Sequence, residues 1–76
     1  MVYAITTHPL KGRVNKIRAY GHGQTLTLNY IKEMDEKNNH FRAAMVVAAE
    51  QYGPSVRIVG GKNPRQEAWH WLPLEE

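Results

Sequence analysis

Cysteine is absent from the chain, which removes disulfide staples, thiolate metal sites and cysteine nucleophiles together. No apolar run approaches the ~20 residues needed to span a bilayer. The start, "MVYAITTHPL", lacks the cationic flank and apolar core of a signal peptide. These absences point to a soluble protein of the cytoplasm. Serine occurs once, as Ser55 after Pro54, with no elbow motif around it. The lone acids Glu50 and Glu67 have no predicted carboxylate partner, so neither nucleophilic nor paired-acid catalysis is suggested.

Acids are missing from the first 32 residues, which hold Lys11, Arg13, Lys16, Arg18 and Lys32. The remainder carries five cations against seven acids, so the two parts are +5 and −2, and they sum to the net +3. A potential segregated in this way steers an anionic partner, either nucleic acid or an acidic protein patch. With 76 residues the chain supports one domain, which buries only roughly 60% of its unfolded surface. A domain this small has little room to enclose a pocket, and the expectation is a non-enzymatic protein without a cofactor.

The hydrophobic pattern changes period along the chain. "VYAITTH" is rich in β-branched residues and stops at Pro9, predicting a first strand, with "PLKG" as its turn. "RVNKIRAY" predicts a second strand and "QTLTLNYI" a third. In the third, Leu26, Leu28 and Tyr30 face one way and Thr25, Thr27 and Asn29 the other. Gly21-His22-Gly23 joins two strands rather than a strand and a helix, so it reads as a hairpin bend and not a phosphate loop. "GGKN" at 60–63 fails as a phosphate loop for the same reason.

From Asp35 the period becomes helical, with the cap at Asp35 or at Asn38/Asn39. Phe41, Ala44, Met45, Ala48 and Tyr52 form the predicted core stripe. Arg42, Ala43, Val46 and Glu50 fall off that stripe, and Ala43, Val46 and Val47 make a shallow candidate patch for a dimer or partner. "SVRIVGG", the loop "KNPRQ" and the strand "EAWHWL" complete the chain, with a frayed "PLEE" tail. The prediction is an α+β fold: an antiparallel sheet in the order β-β-β-α-β-β, with one helix across one face.

The four histidines, His8, His22, His40 and His70, match no compact metal-ligand spacing and are expected at the surface or in turns. Trp69 and Trp71 share a face of the last strand, and covering the helix is the favoured placement. The alternative makes them a stacking platform or protein anchor on the open face. In the second strand, Lys16, Arg18 and Tyr20 share the face opposite Ile17 and Ala19, and so stand away from the helix. Together with Arg57, Lys62, Arg65, Trp69 and Trp71 they are the candidate partner-binding residues.

The segment "NNHFRAAMVVAAEQYGPSVRIVGG" with the closing "EAWHW" resembles small phage and prophage accessory proteins that inhibit host machinery. Among these are anti-CRISPR proteins and inhibitors of host RNA polymerase. The likeness is one of layout over most of the chain. It implies a protein that acts by occupying a surface of a larger bacterial protein or ribonucleoprotein complex, in the host cytoplasm, as a monomer or weak dimer. The basic balance departs from the DNA-mimicking members of that class, so the implied mode is to cover an acidic protein surface or to compete from beside a nucleic-acid channel. A nucleic-acid-binding sheet face is the alternative.

Overall fold

The computed structural model describes residues 4–10, 15–65 and 67–74. Five strands and one helix follow in the order β1 (Ile5–Leu10), β2 (Lys16–Gly21), β3 (Gln24–Asn29), α1 (Glu36–Tyr52), β4 (Ile58–Asn63) and β5 (Ala68–Pro73). The α+β class and the element order are those that the sequence predicts. The strands form one antiparallel sheet in the spatial order β3-β2-β1-β5-β4. The chain thus builds a three-stranded meander, crosses by the helix to the opposite edge, and inserts β5 beside β1.

Local chemistry sets the element ends. His22 and Gly23 both have positive φ, 52° and 77°, between the paired Gly21 and Gln24. This is the two-residue turn whose twist suits a hairpin. The helix begins after Asp35, whose carboxylate accepts the Asn38 N–H at 2.8 Å. It ends at Gly53, where φ is 96° and the N–H reaches the Ala49 carbonyl at 2.9 Å. β1 continues through Pro9 to Leu10 instead of stopping at the proline. Pro9 lies beyond the β1–β5 register, which covers only Ile5 to Thr7, where a missing N–H is tolerated. Leu74 N–H donates to the Arg57 carbonyl at 2.8 Å, so the tail is held through Leu74. The "PLKG" turn, Arg13 and Val14 fall outside the described residues in whole or part.

The helix covers one sheet face. Ile5, Ile17, Ala19 and Trp71 from the strands meet Ala43, Ala44, Val47 and Ala48 from α1. The predicted helical stripe is corrected by rotation. Ala43 and Val47 are fully buried, while Phe41 and Tyr52 are more than one-third exposed. Alanines let the helix approach closely enough for the Trp71 indole to fill the space beneath it, and polar Asn39 and His40 complete the buried face. An apolarity count alone misplaces the stripe, because the helix has apolar residues outside and polar ones inside.

Candidate functional site

The strand registers place every side chain on one of two sheet faces. Ile17 lies opposite Pro9 and Leu28, and Ala19 opposite Thr7 and Leu26, all on the helix side. The alternate residues Lys16, Arg18 and Tyr20 therefore project from the uncovered side. They face Leu10, His8 and Thr6 on β1 and Asn29, Thr27 and Thr25 on β3. None of the strand positions on this face is an acid.

Among the described residues, the cations on this face, Lys16 and Arg18, have no ion-pair partner, and the Arg18 Nε is shut from solvent without an acceptor. Beside them the His8 and Tyr20 rings meet edge to face, with centroids 5.8 Å apart. Thr6 Oγ1 and His70 Nδ1 lie 3.2 Å apart in the next cross-strand pair. Farther across the same face, Val59 and Leu72 are cross-strand partners, 52% and 46% exposed. The face is therefore cationic and aromatic over β2 and β1, and apolar over β5 and β4.

The other predicted site residues separate from this group. Trp71 takes the placement that the sequence favours, 1% exposed beneath the helix, and its candidacy as a partner-binding residue is corrected, because it offers nothing to a partner. Trp69 is also on the helix side, stacked on Trp71 with ring centroids 5.6 Å apart and tilted by 34° against His40 at 5.6 Å. Its Nε1 approaches Glu36 at 3.5 Å. Lys62, opposite Trp69, stands on that same side and pairs with Glu36 at 2.9 Å, so it does not join the open face. This contact lowers the Glu36 pKa and raises that of Lys62, although exposed pairs of this kind add little to stability. Arg57 precedes β4, and Arg65 lies in the β4–β5 turn with its N–H on Asn63 Oδ1. Both are on the far side of the sheet from β2.

Sequence reasoning passed over two features. His8 and the Val59–Leu72 pair belong to the open face, and strand parity alone places them there. His40 is buried, contrary to its predicted surface placement. Its Nδ1 lies 2.7 Å from Thr7 Oγ1, which also accepts from Trp71 Nε1 at 3.1 Å. An indole N–H only donates, so the threonine proton is free for His40 Nδ1. Burial holds this imidazole below its ordinary pKa, with Glu36 partly opposing. His40 also borders a cleft of about 240 Å³ between the ends of β1 and β2 and residues Tyr30 and Glu36. That volume is below the several hundred Å³ of most ligand sites. No group of three or more metal-ligating side chains occurs among the described residues.

No helix among the described residues is long and apolar enough to cross a membrane. No family model, curated protein or solved structure matches the chain.

Proposed function

We propose that the chain is a non-enzymatic binding module that acts by laying its uncovered sheet face on an acidic surface of a larger protein. One observation carries this reading: a single open face joins Lys16 and Arg18, cations without an ion-pair partner among the described residues, to an exposed apolar cross-strand pair, Val59 and Leu72. Protein interfaces combine these elements, an apolar centre with Arg and Tyr anchors and a charged margin. The resemblance of the sequence layout to phage-encoded inhibitors favours a bacterial protein or ribonucleoprotein as the target, blocked by occupation of its surface. The test is capture from nuclease-treated bacterial lysate by wild-type and Lys16→Glu/Arg18→Glu protein. A partner held by the first and lost by the second supports the reading. Equal capture by both, or none by either, contradicts it.

A second reading is supported by the His8–Tyr20 ring pair beside Arg18. Rings flanked by cations stack bases and grip phosphates in single-stranded nucleic acid. Binding of that kind weakens steeply with salt, in proportion to the phosphates neutralised. Titration of a labelled single-stranded oligonucleotide at several salt concentrations separates the two readings.

A further inference from the structure

The sheet has two edges, and they are protected differently. β4 has Arg57 just before it, Lys62 within it and the Gly60-Gly61 pair at its middle. β3, "QTLTLN", has no charge and no proline, and its six-pair register with β2 runs without a bulge. Charges, prolines and bulges are the usual means of keeping an edge from pairing, and β3 has none of them. Tyr30 N–H donates to the Asn15 carbonyl at 3.1 Å, which fixes the phase of the strand. Gln24, Leu26 and Leu28 turn their backbone groups toward β2, whereas Thr25, Thr27 and Asn29 turn theirs outward. Arg42 Nη2 already donates to the Asn29 carbonyl. The N–H and C=O groups of Thr25 and Thr27 therefore form one exposed row of two donors and two acceptors with no partner among the described residues.

We propose that β3 pairs antiparallel with β3 of a second copy across a two-fold axis, with Thr25 opposite Thr27 of the second copy and Leu26 opposite its own equivalent. This register joins the two donors and two acceptors of each strand to those of the other and stops short of the carbonyl that Arg42 holds. It keeps faces matched: the half-buried Leu26 side chains meet on the helix side, and threonines meet threonines on the open side. Within the Thr25–Thr27 segment that pairs, no charged side chain is brought to the seam. Both helices fall on one side of a ten-stranded sheet and both cationic faces on the other. The two β2 strands then lie three strand spacings apart, about 14 Å, so the two Lys16–Arg18 rows become one surface. The pairing does not depend on what that surface binds.

Sedimentation velocity over a concentration series tests the pairing, with far-UV circular dichroism as the check on folding. The wild-type chain is expected to move from monomer to dimer. Thr25→Lys/Thr27→Lys sets lysine opposite lysine twice and weakens association about tenfold. Thr25→Lys/Thr27→Glu sets each lysine opposite a glutamate and restores association, an outcome specific to this register and to two identical strands. Thr27→Pro removes only an outward-facing donor, so it leaves the β2–β3 ladder intact and still abolishes the dimer. A wild-type chain that stays monomeric at every concentration would overturn the proposal and leave the edge to an extended segment of another protein. So would a folded double-lysine variant that dimerises as the wild type does, or a folded lysine–glutamate variant that stays dissociated.

Discussion

Gly60 lies directly opposite Trp71 in the β4–β5 hairpin, and a Cβ at position 60 would stand 2.4 Å from the indole Cε3 and 2.6 Å from the His70 carbonyl oxygen. The indole therefore occupies the space above the β4 backbone where any side chain at 60 would sit. Trp71 cannot retreat, because Phe41 packs against it at 5.6 Å and its Nε1 is fixed on Thr7. Gly60→Ala is expected to destabilise the fold by about 1–3 kcal/mol, the usual cost of overpacking a filled core. Gly61, where an added Cβ would meet nothing within 4 Å and φ is not positive, tolerates the same change. Urea unfolding followed by tryptophan fluorescence checks the pair, and similar losses at both positions would contradict this packing.

Thr7 Oγ1 joins β5 to the helix by accepting from Trp71 and meeting His40. Thr7→Val keeps the volume but leaves a buried indole N–H and a buried imidazole nitrogen without a partner. The loss expected is about 1–3 kcal/mol per unsatisfied group. Thr7→Ser retains the hydroxyl and should recover much of that loss. Denaturation midpoints of the two variants, compared with wild type, decide it, and a valine variant as stable as the serine variant would count against the relay.

Burial lowers the folded pKa of His40 below its ordinary 6.5. The unfolded chain therefore takes up a proton before the folded one, so stability is complete above pH 6.5 and falls as the pH drops below it. Unfolding free energies at pH 7.5 and pH 5.5 should differ in that direction for the wild type. The difference should shrink in His40→Gln, which has no proton to gain. A His40→Gln variant with the full wild-type slope would assign the pH dependence elsewhere.

Much of the sheet is legible in the sequence, because period two is a direct image of strand geometry. "TLTLNY" announces its two faces, and the same parity sets Lys16, Arg18 and Tyr20 opposite Ile17 and Ala19. The helix is less legible. Its buried side is made of alanines, Val47, Asn39 and His40, so a search for large apolar residues selects Phe41 and Tyr52, which are more than one-third exposed. Asn39 is buried because its side chain satisfies Ile31 N–H and the carbonyls of Ile31, Met34 and Asp35. That role depends on how the preceding loop folds back, which no helical periodicity carries. Charge alone groups Lys62 with the other cations, but the β4–β5 register sends it to the helix side, toward Glu36.

The central claim, that the open face is the binding surface, is tested most directly by moving charge on and off that face. Affinity for a partner captured from lysate should be measured for Lys16→Glu/Arg18→Glu and for Lys32→Glu/Lys37→Glu, which makes the same change in net charge away from the open face. The first variant is expected to lose more than about tenfold in affinity, because it places acids against an acidic partner, while the second stays close to wild type. Equal losses in both variants would reduce the effect to net charge, and an unchanged affinity in the first would contradict the assignment of the face.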